Sequence, residues 1–171
     1  KDYEVRTVHY KEDGSLASFV KLPNGKVVGK SKASFESDQA ISITNIYNTN
    51  QSIKEFVDDM LLNDINPIFE YVSTYNRIVL QYEKEELILL KLRDNKTGGY
   101  LELINIPDGI KVVGEVSITL QEAIELSENV TGIEGWVFEF KNGLIDQALQ
   151  TFGIKRSQGI FEMLKCFKHE W

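Results

Sequence analysis

Polar and apolar residues roughly alternate along 4–10 and again along 16–22, the period of strands with one covered face. Between them lies Lys11-Glu12-Asp13-Gly14-Ser15, a polar segment that reads as a tight strand-to-strand bend. Pro23-Asn24-Gly25 then separates 16–22 from 26–31, and Asn-Gly between extended runs predicts a hairpin. The early chain therefore reads as a meander. Over 36–47 the period changes, with Ala40, Ile43 and Tyr47 recurring at three and four, one face of a helix. Ser52-Ile53-Lys54-Glu55 matches a capping box, and Ile53, Phe56, Val57, Met60 and Leu61 form the stripe of a second helix ending near Asn63.

Pro67 opens three extended runs, 68–73, 77–82 and 86–92. The last two are rich in Ile, Val and Leu and should be central in a sheet. The segment 94–99 turns the chain into a short strand over 100–104, and Pro107-Asp108-Gly109 breaks it again. Thr119-Leu120-Gln121-Glu122 is a second capping box, leading a helix to about Ser127. The run 132–140 is extended, and Lys141-Asn142-Gly143 turns it. Leu144, Ile145, Ala148, Leu149 and Phe152 then space as one helix face closed by Gly153, with a further short helix over 158–164. Without internal repeat, low-complexity segment or linker, this order predicts a single α+β domain over 1–171, with antiparallel strands and interspersed helices.

Composition narrows the class. At 171 residues the chain can bury a real core, and no apolar run is long enough to cross a bilayer. One cysteine, Cys166, excludes an internal disulfide and fits a reducing compartment, so the expected location is the cytoplasm, or host cytoplasm for a viral protein. The net charge of -7 argues against nucleic-acid binding by bulk positive charge. A local basic groove is still allowed, because Lys21, Lys26, Lys30 and Lys32 fall close together; a solvated hairpin explains them equally.

The candidate chemistry centres on Lys11. A lysine held at the end of a strand can reach a phosphate while Gly14 lets the backbone come close, and Lys-x-x-Gly is the spacing of covalent nucleotidyltransferases. The bland alternative is a solvated lysine at a hairpin end. Cys166 reads as a small packed residue, and His9 and His169 form no metal-ligand spacing with it.

Three segments follow one another in the order used by covalent ATP-dependent polynucleotide ligases. Lys11-Glu12-Asp13-Gly14-Ser15-Leu16 is followed by Lys30-Ser31-Lys32 and Ser37-Asp38-Gln39-Ala40. Phe69-Glu70-Tyr71-Val72 is followed by Asn76-Arg77-Ile78-Val79-Leu80, and the third segment is Ile133-Glu134-Gly135-Trp136-Val137. Over most of its length the chain resembles the RNA ligases of the bacteriophage tRNA-repair type, in the covalent nucleotidyltransferase superfamily.

That resemblance implies a nucleotidyltransferase domain, with antiparallel sheets flanked by helices around an ATP cleft. It implies ATP and Mg²⁺, with Mn²⁺ as a substitute, and RNA with 5′-phosphate and 3′-hydroxyl ends, nicked tRNA being the candidate substrate. Lysine would take AMP from ATP, AMP would pass to the RNA 5′-phosphate, and the 3′-hydroxyl would displace it and seal the strand. Lys11 would be the nucleophile, its neutral amine favoured by burial and by Lys30, Lys32, Lys168 and the metal. Glu70 and Glu134 would hold the hydrated metal, where the alternative for Glu70 is a structural ion pair. Glu12, Gly14, Lys30, Lys32, Gly135 and Lys165 would line the nucleotide.

The family's final Lys-x-Lys pair departs from its pattern here, since Lys168 takes the second place and Cys166 the first. Lys165 would substitute only by a shift that turns it to the opposite face of a strand. The segment 143–161 is longer than the family's equivalent and reads as a lid, an RNA contact or two surface helices. A fragment is expected, one lacking the basic segment before the motif lysine and the C-terminal domain. Two other readings remain: a DNA ligase or GTP-using capping enzyme of the same superfamily, and a noncatalytic module that binds nucleic acid or protein.

Overall fold

A computed structural model describes residues 4–74, 84–126 and 135–141, and the backbone of 145–149. Its elements are β1 (Val5–Lys11), β2 (Ser15–Lys21), β3 (Val27–Ser31), α1 (Asp38–Thr49), α2 (Gln51–Leu62), β4 (Ile65–Val72), β5 (Glu86–Asp94), β6 (Tyr100–Leu101), α3 (Leu120–Leu126), β7 (Gly135–Phe140) and β8 (Ile145–Leu149). Antiparallel strands with interspersed helices make this α+β, as the hydrophobic pattern predicts. The chain forms two compact units, one of residues 1–12 and 113–171, the other of residues 13–112.

The larger unit is a five-stranded sheet in the order β3-β2-β4-β5-β6. β2 and β3 form the predicted hairpin, in register from Lys21 opposite Val27 to Ala17 opposite Ser31. Alternation sends Ala17 and Phe19 into a core with Phe69, Tyr71, Leu87 and Leu89, which Ile43 and Tyr47 of α1 and Ile53, Phe56 and Val57 of α2 complete. Gly29 lets α1 lie close on β3. A β-carbon there would sit 2.4 Å from Ile43 Cγ2, and the Gly29 N–H donates to Thr44 Oγ1 at 2.9 Å. As expected for an Ile/Val/Leu run, β5 is internal and buries Leu87 to Leu90.

Three expectations need correction here. The cap of α2 is Asn50, whose side chain accepts the Ile53 N–H at 3.1 Å, so Ser52 lies within the first turn. The Asn50 N–H also reaches Ile46 O at 2.8 Å, and one residue thus closes α1 and opens α2. The strand predicted over 100–104 is only Tyr100–Leu101, because beyond Leu101 the backbone leaves β5 and Leu103 packs against the core instead. The early meander is not formed either: β2 pairs with β3 and β4, while β1 belongs to another sheet. Alternation specifies a strand and its buried face, but not its partner. The run 77–82 lies outside the described residues.

The smaller unit holds a three-stranded sheet in the order β1-β7-β8. β1 runs antiparallel to β7, with Val8 opposite Phe138, Tyr10 opposite Trp136 and Lys11 opposite Gly135. Its other edge is covered, since the Tyr10 N–H donates to Gly114 O and the Val116 N–H to Val8 O, both at 3.0 Å. Val8, Trp136, Phe138, Phe140 and Ala123 of α3 form the core. The helix expected from Leu144 to Phe152 is replaced over Ile145–Leu149 by β8, antiparallel to β7. Apolar residues at 145, 148 and 149 fit either period, and pairing with the fully buried β7 decides between them.

The predicted capping box of α3 is present. The Thr119 N–H donates to Glu122 Oε2 at 2.8 Å, and the Glu122 N–H to Thr119 Oγ1 at 3.1 Å. The Thr119 backbone N–H, followed by its hydroxyl, holds the Glu122 carboxyl below its usual range. A depressed folded value contributes stability above the unfolded value and loses it as pH falls through the folded one. Exchange protection of the Thr119 amide should therefore fall on acidification through the carboxylate range. In Glu122→Gln that dependence should disappear.

Candidate active site

Lys11 is the last residue of β1, half-buried, with its backbone held opposite Gly135. Residues at i and i−2 of a strand share a face, which puts His9 and Thr7 on the Lys11 side. His9 is buried and its Nδ1–H donates to Tyr10 O at 3.1 Å, fixing the ring. On β7, Glu139 is buried opposite Thr7 and accepts from Arg6 Nη1 at 3.2 Å and Thr7 Oγ1 at 3.3 Å. These partners satisfy a carboxylate that would be costly to bury alone. Position 11 is thus the end of a strand paired along both edges, a rigid base for a side chain.

Beyond Glu12 the chain enters the larger unit at Asp13 and Gly14. A β-carbon on Gly14 would stand 2.1 Å from the Tyr71 carbonyl oxygen, so the Lys-x-x-Gly glycine is required by close packing on β4. Gly14→Ala must displace backbone, and it is expected to cost about 1–3 kcal/mol, read as a lower urea midpoint. Asp13 is 2 % exposed and engaged by other groups. Taken from sequence as turn chemistry, it is one of three buried carboxylates among the described residues, with Glu70 and Glu139. Its place between Lys11 and Gly14 was the available signal.

Glu70 lies on β4 opposite Leu16 of β2 and Ile88 of β5, and it is 8 % exposed. Directly opposed residues share a sheet face. Lys30 stands opposite Ser18, which is two residues from Leu16, so Glu70 and Lys30 lie on the same face of the sheet. That face is opposite to the one that α1 and α2 cover. The Lys30 ammonium lies 5.4 Å from the centre of the Phe35 ring, and Lys32 is exposed just past the end of β3. Gly135 opens β7. Glu134, Lys165, Cys166 and Lys168 lie outside the described residues.

Among the described residues no group of three His, Cys, Asp or Glu side chains could hold a metal alone. A few carboxylates such as Glu70 suit a hard cation that keeps its waters and shares the oxygens of a bound phosphate. No described helix is long and apolar enough to cross a membrane.

Comparison with known proteins agrees with this architecture. A curated Thermovibrio ammonificans protein, provisionally named an RNA ligase, is 33% identical over 119 residues, 66% of this chain and 31% of that protein. Among solved structures, Naegleria gruberi RNA ligase with pyrophosphate superposes with a TM-score of 0.63 at 14% identity, over 84% of this chain and 49% of that one. A variant of the same ligase with ATP and Mn superposes at 0.59 with 14% identity, over 84% and 48%. At such identities the likeness shows the nucleotidyltransferase fold of these ligases alone. The chain spans about a third of the curated relative and about half of the solved chains. The profile of the RNA ligase family matches residues 1–166, nearly the whole sequence, and the chain belongs to that family.

Proposed function

We propose that this chain is the adenylyltransferase part of an ATP-dependent RNA ligase and that Lys11 is its nucleophile. The observation that carries the reading is the setting of Lys11, at the end of a doubly paired strand and three residues before a glycine packed against a backbone carbonyl. The family match and the neighbours solved with ATP and Mn or pyrophosphate support it.

The neutral Lys11 amine attacks the α-phosphorus of ATP. A P–N bond forms, the P–O bond to the β-phosphate breaks, and pyrophosphate leaves. AMP then passes to the 5′-phosphate of an RNA end, and a 3′-hydroxyl displaces it to form the phosphodiester. A divalent ion, Mg²⁺ or Mn²⁺, would supply charge neutralisation at the phosphates, with Glu70 and Glu134 holding its waters. Lys30, Lys32, Lys165 and Lys168 would bind the nucleotide phosphates, and Glu12, Gly14 and Gly135 would line its pocket. Nicked tRNA is the substrate this reading favours, and a cytoplasmic setting suits it.

Intact mass tests the proposal. Incubation with ATP and Mg²⁺ or Mn²⁺ should add one adenylyl group to the chain. Labelling by GTP alone would indicate a capping-type enzyme. Absence of any adduct would favour the noncatalytic descendant, to which Cys166 in the place of a motif lysine points.

A further inference from the structure

His9 is a buried polar residue, 5% exposed, to which adenylyl transfer as described assigns no role, and it stands two positions before Lys11. The Tyr10 N–H donates to Gly114 O at 3.0 Å, so Tyr10 directs both of its main-chain groups to the 113–116 edge of β1. Lys11, the next residue, directs its own to β7, opposite Gly135. The Tyr10 carbonyl is therefore the last that β1 presents along that outer edge. Among the described residues no main-chain N–H of the edge reaches it, and the His9 Nδ1–H does so instead at 3.1 Å.

A carbonyl only accepts, so Nδ1 carries a proton whether the ring is neutral or charged. The carbonyl so held belongs to the same peptide group as the Lys11 N–H. Fixing it fixes the plane of that peptide, and with it the direction in which the Lys11 side chain leaves the strand. Without this partner the carbonyl would end a ladder unsatisfied and would turn toward other donors. A lysine that must meet phosphorus in line is sensitive to such a turn, since a displacement of about 1 Å can cost about 100-fold in rate.

We infer that His9 is a positioning residue for Lys11, acting through the Nδ1–H that holds the Tyr10–Lys11 peptide. The step it serves rests on the ligase reading; the bond to Tyr10 O does not. The ordinary alternative is a histidine kept for packing, with its hydrogen bond incidental.

Two amides separate these readings. In His9→Asn the side-chain N–H falls close to the place of Nδ1, so the donor is kept. In His9→Gln the same amide lies one carbon farther out, near the place of Nε2, and His9→Leu fills the volume with no donor. The rate of AMP uptake at saturating ATP, read by intact mass, should fall about 10- to 100-fold in His9→Gln and His9→Leu and stay near wild type in His9→Asn. The ATP concentration giving half the maximal rate should not change, because His9 acts on the direction of attack and not on nucleotide binding. Apart from activity, the Lys11 amide should exchange with solvent faster in His9→Gln and His9→Leu than in wild type or His9→Asn. Thermal unfolding checks that each variant is folded at the assay temperature; should His9→Leu not be, the Asn and Gln pair alone carries the comparison.

Wild-type uptake in His9→Gln and His9→Leu would overturn the inference and leave His9 a packing residue. An equal loss in His9→Asn would overturn it too, because the effect would then not run through Nδ1. If the wild-type chain itself takes up no AMP, the ligase reading fails and the positioning role with it, and a difference in Lys11 exchange would mark the bond as structural alone.

Discussion

Lys11→Ala is expected to abolish the covalent AMP adduct completely, and Lys11→Arg to do the same. Alanine removes the nucleophile. Arginine keeps a long cationic side chain, but its guanidinium does not lose its proton in proteins and so cannot supply a free electron pair to phosphorus. Neither change should disturb the fold, because Lys11 is half-buried at a strand end and its pairing with Gly135 is made by the backbone. Substitutions of that kind usually fall within about 0.5 kcal/mol. Thermal unfolding should therefore match wild type while the mass shift disappears. An adduct of wild-type yield in Lys11→Ala would move the nucleophile elsewhere.

Phe69→Ala should have the largest effect on stability. Phe69 is fully buried and meets Phe19 at 5.9 Å and Phe56 at 6.3 Å between ring centres, both nearly edge to face. It ties β2 and α2 to β4, one residue before Glu70. Truncating such a phenylalanine leaves a cavity and costs about 3–5 kcal/mol, a large part of the stability of a small domain. Urea unfolding of residues 13–112 should shift to a much lower midpoint with little change in slope. Uptake of AMP should fall as well, since β4 positions Glu70. A midpoint displaced by less than the equivalent of about 1 kcal/mol would show that the aromatic trio does not hold this core together.

The elements that local chemistry decides were legible in the sequence. The Asn24-Gly25 hairpin, the period of α1 and the Thr119–Glu122 box of α3 each carry their cause within a few residues. Long-range choices were not legible. The alternation of β1 predicts a strand, but nothing in it names β7 as the partner in place of β2. In β8, three apolar residues fit a helix until β7 offers a buried strand to pair with. Of the residues proposed for catalysis, Lys11 and Glu70 stand out by motif. The tightness of Gly14 depends on Tyr71, far along the chain, and only the folded structure exposes it and the burial of Asp13.

The atom that receives AMP identifies the nucleophile most directly. The wild-type chain, incubated with ATP and Mn²⁺ and then digested under alkaline conditions that spare a P–N bond, can be mapped by tandem mass spectrometry. The predicted result is a single adenylylated peptide with the group on Lys11, labile to acid as a phosphoramidate. AMP on Lys165, Lys168 or any other side chain, with Lys11 unmodified, would contradict it.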